Sequence, residues 1–272
     1  MRKLFSVIFL IGSLAIHAQI LPDYPVKNIE QVKLIVTYSL RYQEDSLPPH
    51  FTRQEDKALF LGENVSLYLS NNAYTFERNM RKLNNVAELQ EYLNTRPSMP
   101  HNLIRIYKNI PSGNFTFTDY VSPNSIKFEE RLDLFEWKLT GDTATIHGYK
   151  TQKATCDFGG RSWVAWFSSE IPYSDGPYSF NGLPGLILNV HDSRNHYVFE
   201  FLSIEKPKDE IMIEYLEQRF VETTKQDYFK ALDAYNANLK TWAKDNGGDA
   251  DAQQNAARIS LERNNPIELK RK

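Results

Sequence analysis

The side chains best suited to recognition chemistry lie in one short aromatic stretch near the middle of the chain. Arginine stacks on aromatic rings and binds carboxylates with two parallel hydrogen bonds, so Arg161 beside Trp163 and Trp166 fits a recognition surface. On a strand, Arg161 and Trp163 share a face and Trp166 points the other way. We prefer the alternative that Trp163 or Trp166 enters the core and that Arg161 pairs with an acid such as Glu170 or Asp175, because large aromatics are mostly buried.

Other reactive residue types do not form a complete site. His191, Asp192 and His196 are zinc-ligand types around a predicted turn, but a fourth ligand is missing and a turn need not bring the two rings together. The single cysteine, Cys156, is predicted to be a packing residue, since a thiol nucleophile needs a nearby base. The serine pair at 168–169 has no glycine elbow around it, and no phosphate-binding glycine loop occurs. The sequence therefore predicts no catalytic residue, no metal and no cofactor.

These residues lie in a chain of short β-branched and aromatic runs separated by turn-forming residues. The predicted strands cover residues 32–42, 58–61, 65–69, 103–107, 115–121, 126–128, 132–139, 144–146, 148–156, 163–168, 186–191 and 196–204. Apolar residues at helical spacing predict helices over 77–93 and 225–244. Regularly spaced strands with turns between them favour a β-rich α+β fold with an antiparallel sheet or open barrel, a mid-chain helix and a C-terminal helix.

The N-terminus has the three parts of a secretory signal peptide. A basic start at 1–3 is followed by an apolar run at 4–16 and a small residue, Ala18, at the expected cut. The run is shorter than the 20 or so apolar residues that span a bilayer. No cysteine follows the cut for lipid attachment, so we expect a periplasmic or extracellular protein that is not a lipoprotein. The predicted domains are a signal peptide at 1–18, one β-rich domain at 19–245 and a polar tail at 246–272.

Composition limits the classes of partner. The formal net charge is −2, and cleavage of the signal peptide would make the chain more acidic, which argues against nucleic acid. With 41% hydrophobic and 13% aromatic residues, the chain has enough apolar material for a large core. One cysteine cannot form an intramolecular disulfide, so burial must supply the stability.

The most distinctive motif is Gly-Leu-Pro-Gly-Leu-Ile. Its residues are Gly182, Leu183, Pro184, Gly185, Leu186 and Ile187. The Pro-Gly pair predicts a tight turn in which Gly185 is free to take a positive φ, and the apolar residues after it predict a buried strand. We interpret the motif as a structural corner.

With this motif the chain resembles the GLPGLI family of exported bacterial proteins typical of Bacteroidetes. The supporting segments, in family order, are 135–139, 146–150, 153–155, 160–161, 165–167, 170–172, 175–180 and 182–187, followed by a family-like ending at 264–268. Members often carry a cysteine where this chain has Thr151, so no thiol chemistry carries over. The resemblance implies export and architecture and assigns no catalytic residue. The pattern is also similar to lipoprotein-carrier-like open half-barrels, in which a curved antiparallel sheet wraps helices.

Three functions follow as hypotheses. The leading one is a non-enzymatic envelope carrier for a lipid or another apolar or amphipathic ligand, because the strands hold more aromatics than one sheet face needs. The second is a protein-interaction subunit that accompanies an outer-membrane system and binds an envelope protein. The third is an envelope hydrolase or peptidase, which would need convergent His, Ser or carboxylate side chains in a pocket.

Overall fold

Alternating apolar and polar side chains build most of the structure as strands with one face in a core. The computed structural model describes residues 25–43, 45–46, 52–95, 97, 103–245 and 265–269. The strands are β1 (Val26–Gln31), β2 (Leu34–Gln43), β3 (Thr52–Leu61), β4 (Ser66–Ser70), β5 (Arg105–Lys108), β6 (Asn114–Val121), β7 (Asn124–Arg131), β8 (Lys138–Ile146), β9 (Tyr149–Phe158), β10 (Arg161–Ser168), β11 (Leu186–Asp192), β12 (Tyr197–Glu205), β13 (Met212–Leu216) and β14 (Val221–Glu222). The helices are α1 (Asn71–Met80), α2 (Val86–Asn94) and α3 (Lys225–Asp245).

One large sheet dominates the described chain. Its order is β14-β7-β6-β5-β4-β3-β2-β12-β11-β10-β9-β8, while β1 and β13 pair separately. Neighbouring strands are antiparallel except for the short β14, which runs parallel to β7. The sheet is not closed, since its two end strands pair with one neighbour each within the described residues. The predicted β-rich, mainly antiparallel class is therefore confirmed.

The sheet must be strongly curved. Strands β7 and β9 are nine steps apart in the order, which would separate them by about 40 Å in a flat sheet. Yet the Lys225 ammonium lies 2.9 Å from the Glu130 carboxylate on β7 and 5.3 Å from the centre of the Phe158 ring on β9. The sheet therefore bends until its two halves face a common interior.

The alternation of side chains divides the sheet into an inner and an outer face. On β3, Leu59 and Leu61 belong to the larger inner core, while Ala58 and Phe60 belong to a smaller outer core. The outer core contains Ile213 of β13 and is flanked by α1 and β1.

Side chains from other parts of the same chain cover the inner face of the sheet. Phe180, from the loop before β11, is fully buried and packs against the rings of Trp163, Phe135 and Phe199. On the other half of the sheet, Phe117 and Phe128 stack on each other at 4.6 Å, and Tyr228 of α3 packs on both rings. The aromatics that the sequence placed in strands are thus largely used by this internal packing.

Two predicted elements are wrong in their bounds. The single helix predicted at 77–93 is two helices, because the Asn85 side chain accepts a 3.0 Å hydrogen bond from the Glu88 N–H and starts α2 as a new helix. The strand predicted at 132–139 is irregular up to residue 137, and β8 then continues through the segment predicted separately at 144–146. In the irregular part Phe135 stacks on Trp137, and the Trp137 indole donates to the Asn181 carbonyl at 2.8 Å, so this aromatic pair packs on the motif loop.

Other predictions agree with the structure or lie outside it. The predicted hairpins around residues 62–64, 111–114 and 192–195 and the helix at 225–244 are confirmed, although β3 begins at Thr52 and not at residue 58. Strands β1, β13 and β14 were not predicted. The predicted signal peptide at 1–18 and most of the tail at 246–272 lie outside the described residues. Among the helices that are described, each is too short or too polar to cross a membrane.

Candidate functional site

Strand β10 carries the three residues that the sequence singled out for recognition, and it divides them between its faces. Arg161 and Trp163 are buried on the inner face, whereas Trp166 is half-buried on the outer face opposite Lys153 and Asn189. The Trp163 indole donates to the Phe158 carbonyl at 3.1 Å. Trp163 is therefore a core residue, and the three side chains do not form one surface.

Arg161 is held by a buried ion pair. Its guanidinium lies 2.9 Å from the Asp192 carboxylate, and both side chains are at most 3% exposed. The Tyr197 N–H donates to the other oxygen of Asp192 at 2.8 Å. An acidic partner for Arg161 was expected, but the expected residues were wrong: Asp175 is engaged elsewhere, and Glu170 is exposed.

The remaining donors of Arg161 reach the described C-terminal segment, residues 265–269. The guanidinium donates to the Asn265 side-chain oxygen at 2.6 Å, to the Pro266 carbonyl at 2.6 Å and to the Ile267 carbonyl at 2.9 Å. It also lies over the Tyr197 ring, 4.9 Å from its centre. Arg161 thus joins two strands of the sheet to a segment about 100 residues later in the chain.

The same segment is fixed at both of its ends. Near its start, the Asn265 amide donates to the Gln43 carbonyl at 2.6 Å, and the Tyr197 hydroxyl donates to the Asn265 carbonyl at 2.8 Å. At its far end, the Leu269 N–H donates to the Gly159 carbonyl at 2.6 Å. We call the pocket formed by Gln43, Gly159, Arg161, Asp192 and Tyr197, together with Lys225 and Tyr178, the tail groove.

Glu268 provides the second charged contact of the segment. Its carboxylate lies 2.5 Å from the Lys225 ammonium and accepts from the Tyr178 hydroxyl at 3.1 Å. Burial raises the pKa of Glu268, although the charge of Lys225 opposes that shift. Burial also disfavours the Lys225 ammonium, but Glu268 and Glu130 outweigh it and raise the pKa of Lys225. The pair is therefore a buried ionic contact between α3 and the tail segment.

The Gly-Leu-Pro-Gly-Leu-Ile motif forms the corner that the sequence predicted. Gly182 and Gly185 take φ values of +89° and +145°, which favour glycine, and a side chain on Gly185 would overlap the Ser168 carbonyl. Leu183, Leu186 and Ile187 are at most 1% exposed, and β11 begins at Leu186. The exposed residue Pro184 lies at the tip of the turn.

A buried lysine that sequence reasoning missed anchors the loop before this corner. The Lys108 ammonium on β5 lies 2.5 Å from Asp175 and donates to the carbonyls of Gly176 and Phe180. The Ser66 hydroxyl donates to the other oxygen of Asp175 at 2.5 Å. Burial lowers the pKa of Lys108, and Asp175 opposes that shift. The sequence signal was weak: a lysine at the end of a four-residue strand, with no motif around it.

Two cavities are lined in part by Tyr173, from the loop before β11. One of about 180 Å³ is lined by Ser66, Lys108, Asp175 and Asn181, among others. All donors of Lys108 point at the acceptors already named, so this lysine is not available as a base for Ser66. The other, an open groove of about 620 Å³, lies beside Lys33 and residues 206–210.

The remaining candidates of the sequence do not converge. His191 lies next to the Asp192 carbonyl, and His196 lies 3.2 Å from the Asn265 side-chain oxygen. No group of three or more His, Cys, Asp or Glu side chains in the described part of the chain could hold a metal ion. Cys156 is buried, and burial, aided by the charge of Asp157, raises the pKa of its thiol to about 12. Its role as a packing residue agrees with the prediction.

Comparison with known proteins adds a family match and a fold. Residues 160–189, from the end of the β9–β10 turn to β11, match a family described as a protein of unknown function, Porph_ging. No curated protein sequence matches the chain. The matched segment contains Arg161 of the tail groove and, at the opposite end of the β10–β11 ladder, the whole Gly-Leu-Pro-Gly-Leu-Ile corner.

Solved structures show a similar fold in part of a larger protein. PNGF-II in space group P21 has a TM-score of 0.53 and 15% identity over 75% of this chain and 34% of that chain. In space group C2 the TM-score is 0.51, with 16% identity over 76% and 33% of the two chains. The chain therefore spans about a third of PNGF-II. A domain from Vibrio parahaemolyticus, described as an outer membrane lipoprotein-sorting protein domain, has a TM-score of 0.22 and 6% identity over 65% and 86%, too low to indicate a shared fold.

Proposed function

We propose that this chain is an exported cell-envelope protein of the GLPGLI family that acts by binding a protein partner. Support for the family comes from the order of the motif segments and from the Porph_ging match over residues 160–189. Support for export comes from the N-terminal pattern, with cleavage after Ala18. The resemblance to a third of PNGF-II is consistent with a fold that also serves as one part of a longer protein.

The close packing of the sheet's inner face is the observation that favours a protein partner. Phe180 and Leu183 lie at 0% and 1% exposure between the sheet and the chain's own irregular segments, and Tyr228 of α3 packs at 2% exposure over the other half. Close-packed interiors lose stability when a new group is forced into them. A partner is therefore expected to meet the outer surface, which favours a protein over an acyl chain.

Carriage of an apolar ligand is the second candidate, supported by the curved antiparallel sheet. It requires the inner layer to move, because Phe180 and Tyr228 occupy the face on which an acyl chain would lie. The hydrolase alternative has weaker support. The Ser66 hydroxyl donates to Asp175, and the adjacent Lys108 is engaged by three acceptors.

The test is native mass spectrometry with lipid extraction on the full chain, purified from the envelope of its own host after mild in-cell crosslinking. We expect a mass that begins at Gln19, no co-purified lipid and a crosslinked protein partner. A stoichiometric apolar mass on the uncrosslinked protein would replace the protein partner with the carrier function. A chain that retains residues 1–18 and remains in the cytoplasm would contradict export.

A further inference from the structure

We propose that Lys225 of α3 and Glu268 of the tail segment condense into an intramolecular amide bond, which closes the segment covalently onto the fold. The proposal concerns a site of self-modification and does not depend on the proposed protein partner. The family match over residues 160–189 includes neither residue.

The two reacting groups touch inside the protein. Nζ of Lys225 lies 2.5 Å from Oε2 of Glu268, and the two side chains are 10% and 4% exposed. Oε2 is buried and has no hydrogen-bond partner among the described residues, so this short contact lacks the direction of a hydrogen bond. Groups held in contact in this way reach effective concentrations of about 10⁵–10⁸ M, which offset the unfavourable equilibrium of amide formation in water.

A second carboxylate is placed to move the protons. The Lys225 ammonium donates to Oε2 of Glu130 at 2.9 Å, and the Glu130 side chain is 21% exposed. Burial, aided by the charge of Glu130, raises the pKa of Glu268 against the opposing charge of Lys225. A raised pKa favours the protonated carboxyl group, which is the form that an amine attacks.

Tyr178 supplies a hydrogen bond where charge develops. Its hydroxyl donates to Oε1 of Glu268 at 3.1 Å. Negative charge gathers on this oxygen when an amine adds to the carboxyl carbon, and a donor already in place stabilises it. Oε2 is then the oxygen that leaves. The Phe158 ring, whose centre is 5.3 Å from Nζ of Lys225, is an apolar neighbour that helps to exclude water.

The condensation balances without any further reactant. Glu130 takes one proton from the Lys225 ammonium and passes it to Oε2 of Glu268. The neutral amine attacks Cδ of Glu268, and Glu130 takes a second proton from the nitrogen. Glu130 gives this proton to Oε2, the bond between Cδ and Oε2 breaks, and water leaves. The amide keeps the third proton of Lys225, and Glu130 returns to its carboxylate form.

Other buried lysines in the described part of the chain lack this arrangement. Lys108 lies 2.5 Å from Asp175, but its other hydrogen bonds go to two backbone carbonyls, which do not relay protons. Lys57 lies 2.7 Å from Glu55 and has no second carboxylate within ion-pair distance among the described residues. The pair of carboxylates around one nitrogen therefore distinguishes Lys225.

The bond would give the chain a covalent link that its cysteine content does not allow. One cysteine cannot form an intramolecular disulfide. An amide between residues 225 and 268 closes a loop in the unfolded chain as a disulfide does, and a reductant does not break it.

Mass spectrometry of the full chain tests the proposal directly. We expect the denatured protein to weigh one water less than the mass calculated for its own N-terminus. Trypsin does not cleave after an acylated lysine, so the digest should contain residues 220–230 joined to residues 264–270. Recovery of residues 264–270 only as a separate, unmodified peptide would overturn the proposal.

Two lysine variants on the same helix locate the reaction. Lys225→Arg keeps the positive charge but has no nucleophilic amine, so the loss of water should disappear. Lys230→Arg is the matched control, because Lys230 forms an exposed pair with Asp227 at 2.9 Å, and the loss should remain. A loss of water that persists in Lys225→Arg would also overturn the proposal. The peptide map of the unmodified chain gives its answer even where Lys225→Arg does not fold.

Glu130→Gln tests the proton transfer. This variant retains both reacting groups and removes the proton acceptor, so the joined peptide should form at least about 100-fold more slowly. The yield of joined peptide is measured at intervals after purification. A yield that rises as fast as in the unmodified chain would exclude Glu130 as the proton acceptor and overturn the mechanism.

Discussion

Arg161 and Asn265 are 104 positions apart in the sequence, yet a 2.6 Å hydrogen bond between their side chains closes the C-terminal segment onto the sheet. The guanidinium that makes this bond is at the same time paired with Asp192 in a buried environment. One arginine therefore couples the β10–β11 hairpin to the end of the described chain.

Replacing this arginine should strongly destabilise the fold. Arg161→Ala leaves the Asp192 carboxylate buried without its cation, and breaking a buried ion pair of this kind removes roughly 3–5 kcal/mol. The matched control is Arg131→Ala, because Arg131 pairs with Asp133 on the surface with both side chains more than half exposed. We expect that control to change the free energy of unfolding by about 0–1 kcal/mol.

Urea unfolding at neutral pH measures both variants. A loss for Arg161→Ala no larger than that for Arg131→Ala would contradict the assignment of Arg161 as the central connection.

The sequence predicted the local elements around this arginine but not its partners. The period of two residues along a strand predicted that Arg161 and Trp163 share a face of β10, but it did not predict which face is buried. The partner Asp192 depends on the register of β10 and β11 across a loop of 17 residues, which no local pattern encodes. Asp175, one of the two expected partners, is engaged by Lys108 on a strand far away in sequence.

The sequence predicted even less about the residues that form the tail groove. The sequence predicted a family-like ending at 264–268, but the contacts of Asn265 and Glu268 come from β2, β10, β12 and α3, whose relative positions follow from the curvature of the whole sheet. Curvature of twelve strands accumulates over every strand pair, so a single sequence does not determine it.

The corner glycine provides a test of the motif. Gly185→Ala should lower the free energy of unfolding by about 1–3 kcal/mol, since φ at this residue is +145° and the added carbon overlaps the Ser168 carbonyl. Gly141→Ala is the control, because an added carbon at Gly141 has no neighbour within 4 Å. It should be neutral or stabilising by up to about 1 kcal/mol.

Thermal and urea unfolding of Gly185→Ala and Gly141→Ala measure these differences in the free energy of unfolding. Equal stability of Gly185→Ala and the parent protein would show that the backbone conformation at Gly185 does not require glycine for stability.

The outer face of β10 is the expected contact surface for the protein partner. Trp166 is half-buried there, between Lys153 and Asn189, and tryptophan is enriched among residues that dominate interface energies. Trp166→Ala should reduce crosslinked partner by about tenfold or more while leaving the unfolding midpoint within a few degrees of the parent.

The control for this surface is Tyr120→Ala, which removes an exposed aromatic side chain, 47% accessible, from β6. It should leave capture of the partner unchanged. Equal reductions of crosslinked partner for the two variants would indicate nonspecific association through surface aromatics. An unchanged amount for Trp166→Ala would place the interface on another surface.

Asp119 on β6 should make stability depend on pH in an identifiable window. Burial raises the pKa of this carboxyl to about 6, although hydrogen bonds from the Tyr228 hydroxyl and from backbone N–H groups and the charge of Lys57 oppose the shift. A folded-state pKa above the unfolded value means that the folded protein holds the proton more tightly. The contribution is therefore fully present below about pH 4 and is lost as the pH rises through about 6.

Asp119→Asn keeps an acceptor for Tyr228 and removes the titration. Relative to this variant, the parent protein should lose on the order of 2–3 kcal/mol of unfolding free energy between pH 4 and pH 7. Asp133→Asn is the control: the pKa of Asp133 is lowered by its hydrogen bond from Arg131, so its effect belongs below about pH 4. A difference between parent and Asp119→Asn that stays constant from pH 4 to pH 7 would mean that Asp119 titrates normally. The contact between β6 and α3 would then be equally strong throughout this range.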